Sequence, residues 1–182
     1  SADHPATYSP TMMEDFIKFF TKEGMRVLDP FSGIGSTLVG CARTNRIGYG
    51  VELNKKYYDT LIKRVPQFKK NVFCGDARDV KKYFKNVTFD FCISSPSYWD
   101  VLNRSTGNFE DKRTAKGLDV KYSDDNVDLG NIDDYDLFLS NLCSIYFDIY
   151  DLLRDGSYIV VIVKNIKKSG KLYPLAWDIA SK

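Results

Sequence analysis

The chain has 182 residues, 43% hydrophobic and 27% charged, and 26 Lys and Arg against 24 Asp and Glu leave a net charge of +2. That length suits one domain, residues 1–182, with a sizeable core, and the charge is too small to argue by itself for a nucleic-acid partner. The longest strongly apolar run, Tyr158 to Val163, is far too short to span a bilayer, and no signal peptide is visible, so a soluble cytoplasmic protein is expected. The four cysteines, Cys41, Cys74, Cys92 and Cys143, sit in apolar segments without CxxC spacing. Buried reduced thiols are expected, with neither disulfides nor a metal site.

Strand-like and helix-like segments alternate, which predicts an α/β fold with a mostly parallel sheet flanked by helices. Residues 11–22 have helical periodicity. Met25–Leu28 reads as a short buried strand, followed by Asp29-Pro30-Phe31-Ser32-Gly33-Ile34-Gly35-Ser36-Thr37 and a helix opening at Leu38. Ile47–Glu52 is a second strand, and Asn54 caps a helix that Pro66 closes. Asn71–Cys74 and Phe89–Ile93 are the third and fourth strands. A long helix from about Asp133 to Leu153 leads through Asp155-Gly156 into a fifth strand, Ser157–Lys164, and Pro174 opens a last helix. The polar stretch 100–131 has little periodicity and is either a disordered surface insertion or a substrate-contacting loop. The chain stops as another βα unit would be completed, so C-terminal strands are missing, or a second copy or a partner chain supplies them.

A strand that ends in an acid, turns through glycines and enters a helix makes a ligand crevice, because glycine allows close backbone approach and the helix start presents open N–H groups. A dinucleotide loop needs a third glycine where Leu38 stands, so that reading fails. Ligands bind outside the carboxyl ends of parallel strands, where Asp29, Glu52, Asp76 and Ser95 end four successive strands. Glu52 lies at the interval expected of a ribose-binding carboxylate, and Asp76 with Ala77 is placed for an adenine edge. Asp76 can equally cap a helix starting near Arg78. Ser94-Ser95-Pro96-Ser97-Tyr98-Trp99 reads as a stiff loop with exposed rings, Tyr98 or Trp99 being able to stack on a planar heterocycle. The alternative is a tight turn whose aromatics cover the sheet edge. Lysine-rich pairs such as Lys63-Arg64, Lys81-Lys82 and Lys167-Lys168 are solvated helix faces or ends, or contact phosphates.

Together these segments resemble the DNA amino-methyltransferases, which use S-adenosylmethionine to methylate cytosine N4 or adenine N6. Asp29–Thr37 is similar to the family's Asp-Pro-Phe-x-Gly-x-Gly-Thr/Ser cofactor loop. Ser95-Pro96-Ser97-Tyr98 resembles the serine form of its catalytic tetrapeptide, with Ser97 in place of a second proline. His4-Pro5-Ala6-Thr7-Tyr8 is similar to its His-Pro-Ala element, and Gly48–Glu52 and Cys74–Ala77 fit its ribose and adenine contacts. The resemblance implies a Rossmann-like class I methyltransferase fold and a DNA substrate. It implies cofactor binding by His4, Pro5, Ala6, Thr7, Tyr8, Asp29, Pro30, Phe31, Gly33, Gly35, Ser36, Thr37, Glu52, Leu53, Asp76, Ala77 and Ser94. Ser95, Pro96, Ser97 and Tyr98 are its implied catalytic residues, acting on a flipped-out base in a restriction-modification setting, with no metal. The leading serine resembles cytosine-N4 enzymes more than adenine-N6 ones. Adenine-N6 methylation, RNA methylation and a non-catalytic cofactor-binding subunit are the competing readings. Arg104, Lys112, Arg113, Lys116 and Lys121, within 100–131, are the candidate DNA contacts.

Overall fold

The computed structural model describes residues 8–97, 99 and 128–182. Helix α1 (Pro10–Phe20) precedes β1 (Arg26–Asp29), α2 (Ser36–Arg43), β2 (Ile47–Glu52), α3 (Lys55–Arg64) and β3 (Val72–Cys74). The short α4 (Val80–Tyr83), β4 (Phe89–Ser94), α5 (Tyr135–Tyr150) and β5 (Leu153–Val161) follow, then a hairpin, β6 (Ile166–Lys168) and β7 (Lys171–Tyr173), and α6 (Leu175–Ser181). Local chemistry sets the helix starts. The Ser9 side chain accepts from the Thr11 N–H, that of Asn54 from Lys56, and that of Asp134 from Leu137, relieving open donors in each first turn. Pro66 prevents continuation of α3 and opens a 3-10 turn instead.

Five strands form a parallel sheet in the order β3-β2-β1-β4-β5. Strand side chains alternate between two cores. Val27, Phe91 and Ile93 pack with Met13, Ile17, Leu38 and Leu61 of α1–α3. Leu28 and Cys92 pack with Val80, Phe138, Leu142, Ile145 and Ile149 of α4 and α5 on the opposite face. Covering both faces is what a parallel sheet requires. This is the class I methyltransferase architecture that the family resemblance implies. No helix among the described residues is long and apolar enough to cross a membrane.

The structure corrects four details. Trp99 is not an exposed ring: it is 3% exposed, packed edge-on against Tyr135 and Tyr173. Its apolar area is better spent in that cluster, where its indole N–H also donates to the Asp133 carbonyl. Cys41, Cys92 and Cys143 are buried as expected, but Cys74 is exposed because it ends β3 at the sheet's rim. The fifth strand begins at Leu153, which pairs with Phe89, and an irregularity carries Arg154–Ser157 before pairing resumes at Phe91 and Tyr158. Finally, the expected 100–131 stretch ends inside the core, since Leu129 and Gly130 are buried beneath α5. Residues 100–127, and with them Arg104, Lys112, Arg113, Lys116 and Lys121, lie outside the described residues.

Candidate functional site

The chain leaves β1 towards β2 on one side and later returns to β4 on the other, so the sheet's switch point lies between β1 and β4. Loops diverge there and open a crevice at the strands' carboxyl ends. One cavity occupies it, lined by the β1–α2 loop, the ends of β2 and β3, the end of β4 and the segment entering α5.

The glycine loop is held from several directions. Gly33 and Gly35 have φ values of 51° and 86°, the left-handed region where a side chain is strained. Ser32 closes the turn: its N–H donates to the Val51 carbonyl at 2.9 Å and its Oγ to the Asp29 carbonyl at 2.8 Å. Gly50, opposite Asp29, leaves room for that hydroxyl, since a Cβ there would come within 2.2 Å of Ser32 Oγ. Arg64 of α3 donates to the Ile34 carbonyl at 2.6 Å. Gly35 caps α2 without a side chain, leaving the helix start at Ser36 and Thr37 beside the cavity.

Glu52 ties the second strand to this loop. Its Oε2 accepts from the Gly33 N–H at 2.7 Å and its Oε1 from the Asn54 N–H at 2.8 Å. Burial pushes its carboxyl up to about 7 against the lowering by those two donors, and the charges of Asp29 and Asp128 push the same way. Asp29 accepts from the Phe31 N–H at 3.0 Å and from Thr37, yet burial still raises its carboxyl to about 6. Asp76 does both things expected of it. It caps the turn at Ala77–Asp79 and pairs with Arg78 while also lining the cavity.

Of the expected cofactor residues, Tyr8, Asp29, Pro30, Phe31, Gly33, Ser36, Thr37, Glu52, Leu53, Asp76, Ala77 and Ser94 line this one cavity, joined by Ser95 and Ser97. Gly35 and Pro96 do not: Gly35 turns its free side towards Leu61, and Pro96 is buried. His4, Pro5, Ala6, Thr7 and Tyr98 lie outside the described residues. Among the features that escaped sequence reasoning are two wall residues and the partner of Ser94. Asp128, 5% exposed, and Leu129 form part of the wall; they stand beyond a long aperiodic stretch, and only Asp128's capping of Gly130 leaves a local signal. Ser94, 1% exposed, shares a 3.0 Å hydrogen bond with the Tyr146 hydroxyl of α5, a pairing across 52 positions with no motif to announce it.

The lining carries four carboxylates, Asp29, Glu52, Asp76 and Asp128, and no Lys, Arg or His among the described residues. Such a wall opposes a phosphate-bearing ligand and suits one with cationic groups and hydroxyl donors. No cluster of His, Cys, Asp and Glu able to hold a metal ion occurs among the described residues.

Comparison with known proteins agrees with this geometry. The N6/N4 DNA methylase family matches residues 1–64. The orphan methyltransferase M.BamHII of Bacillus amyloliquefaciens is 37% identical over 65 residues, which is 36% of this chain and 24% of that protein. This chain thus matches about a quarter of that relative's length. Among solved structures, a putative rRNA-methylase from Clostridium thermocellum has a TM-score of 0.61 at 16% identity, over 97% of this chain and 81% of that one. SMU.1697c, a putative methyltransferase from Streptococcus mutans in complex with SAH, has a TM-score of 0.54 at 12% identity, over 87% and 74%. Residues 1–64 are thus similar to the DNA methylase family, and the fold as a whole is shared with solved methyltransferase structures.

Proposed function

We propose that residues 1–182 act as one methyltransferase domain that moves the methyl group of S-adenosylmethionine to the exocyclic amine of a flipped base in DNA, cytosine N4 in the first place. The observation that carries this reading is a single cavity lined both by the Asp29–Thr37 loop with Glu52 and Asp76 and by Ser94, Ser95 and Ser97. The cofactor suits the donor set. Its sulfonium and ammonium meet a wall that carries carboxylates and no cation among the described residues, and its ribose hydroxyls can donate to Glu52, whose oxygens keep lone pairs beyond the two backbone bonds. The SAH held by the related fold from S. mutans supports the same ligand class.

When bound, the cofactor supplies an electrophilic methyl group. The amine of a base is a poor nucleophile, because its lone pair is delocalised into the ring. In this reading the Ser95 hydroxyl and the carbonyl of Ser95 or Pro96 accept its N–H groups, localise the lone pair and stabilise the positive charge that develops. Transfer would form the N–C bond as the cofactor's C–S bond breaks, with the surplus proton passing to water. Ser94, fixed by Tyr146, holds the end of β4 beside that position. Tyr98 stacks on the extruded base. The serine at position 95 supports cytosine N4; adenine N6 is the second reading.

Ser95→Ala is expected to lower methyl transfer at least about 100-fold, the range for loss of one transition-state hydrogen bond, while changing S-adenosylmethionine affinity less than about threefold. Transfer of tritiated methyl to DNA, RNA and protein, followed by mass spectrometry of the methylated base, tests the substrate. Methyl in RNA or protein alone, or equal loss of cofactor binding in the variant, overturns the assignment.

A further inference from the structure

The hairpin β6–β7 has no part in the chemistry above, yet the fold carries it to the rim of the cavity. Ser94 pairs with Val161, so the chain leaving parallel β5 emerges at the same carboxyl edge as Ser95. Five residues after Val161 it enters β6, and it then turns through Ser169 and Gly170, both with positive φ (51° and 79°), the backbone a tight two-residue hairpin needs. The hairpin is fastened to the segment that follows the tetrapeptide. Trp99 lies 4.8 Å from the Tyr173 ring, centroid to centroid, and Lys168 Nζ stands 3.8 Å above the Trp99 ring.

The segment's own charge is of one sign. From Lys164 to Pro174 there are four lysines and no acid. Register divides the two strands into faces: Ile166 with Tyr173 and Lys168 with Lys171 form one, Lys167 with Leu172 the other. Lys168 and Lys171 sit over aromatic rings and share a groove with Asp133, Asp134, Asp136 and Asp178. Lys164 and Lys167 are exposed and do not line that groove.

We propose that this hairpin is a phosphate-contacting arm for duplex DNA, with Lys164 and Lys167 its contacts. The inference rests on the DNA-methylation reading above. Contacts to the backbone carry no sequence information, but they fix the register of a duplex. Through Trp99, this arm would fix it relative to Ser95–Tyr98.

The test is fluorescence anisotropy of a mixed-sequence 30-base-pair duplex, titrated between about 50 and 200 mM salt, the range over which phosphate contacts express themselves. Each lost phosphate contact lowers the slope of log K against log salt by about 0.9, so K164A/K167A should lower it by about 1.8. K85A, on the opposite edge of the sheet just before β4, should leave it unchanged. Cofactor binding and circular dichroism of both variants should match the parent protein. An unchanged slope in the double variant, or an equal fall in K85A, overturns the arm while leaving the methyl-transfer reading intact. A parent protein that binds cofactor but no duplex overturns the arm together with the DNA reading. Tighter, lysine-dependent binding of an RNA stem overturns the assignment of the arm to DNA.

Discussion

Asp29 shows how a side chain readable as a ligand contact also stores instability. Its carboxyl, raised from 3.8 to about 6 by burial, holds a proton more tightly in the fold than in the unfolded chain. Its contribution to stability is therefore fullest below pH 3.8 and is lost as the pH rises through about 6. Asn fits the same bonds, accepting from Phe31 and donating to the Thr37 hydroxyl. Asp29→Asn should stabilise the ligand-free protein at pH 8 by about 1 to 3 kcal/mol, with the gain vanishing near pH 4. It should also weaken binding of the cationic cofactor. Urea denaturation at the two pH values and calorimetric titration check both; a gain of equal size at both pH values would remove the electrostatic explanation. Asp29 was legible in the sequence because it ends an apolar run before two glycines. Asp128, equally buried, was not, because nothing near it in the chain points to a strand end.

The β1–α2 loop was the most legible element, because its geometry is local. Gly35 turns the chain with φ 86° and caps α2, and a Cβ there would stand 2.8 Å from Leu61 Cγ of α3. Gly35→Ala meets backbone strain of about 1 to 2 kcal/mol and a crowded contact besides. It should lower the denaturation midpoint and, by displacing the N–H groups beside the cavity, weaken the cofactor about tenfold, equivalent to about 1.4 kcal/mol. Cofactor titration of the variant at a temperature where it remains folded reads the second effect; full affinity would separate loop conformation from binding. Hairpin β6–β7 is the contrary case. Ser169-Gly170 between Ile-Lys-Lys and Lys-Leu-Tyr is a turn signal, but strands this short carry too little alternation to stand out. The fifth strand was legible in existence and not in its start, since the irregularity after Phe89 draws Leu153 into the sheet.

On the scale of the molecule, a sheet covered on both faces explains which groups chemistry can reach. Partial or full burial raises all four thiols above their ordinary value, but Cys41, Cys92 and Cys143 lie in the two cores and Cys74 alone is exposed, at the rim. An aromatic disulfide reagent should therefore modify Cys74 rapidly and the other three only on unfolding. Fast release of more than one thiol per native chain would contradict this core arrangement. β5 is the sheet's edge, with Tyr158 exposed and nothing paired to its outer side among the described residues.

The amino-acid sequence by itself determined the alternation of strands and helices, the glycine turn, and the order of Asp29, Glu52, Asp76 and Ser95 at successive strand ends. Those are properties of neighbouring residues: periodicity, φ preference and capping act over a few positions. The tertiary structure alone decided that Asp128 and Leu129 close the cavity, that Tyr146 holds Ser94, that Trp99 is buried, and that a lysine hairpin stands beside the site. Each of these joins residues tens of positions apart, and what fixes them is the packing of α5 and the crossover to β5 against the sheet.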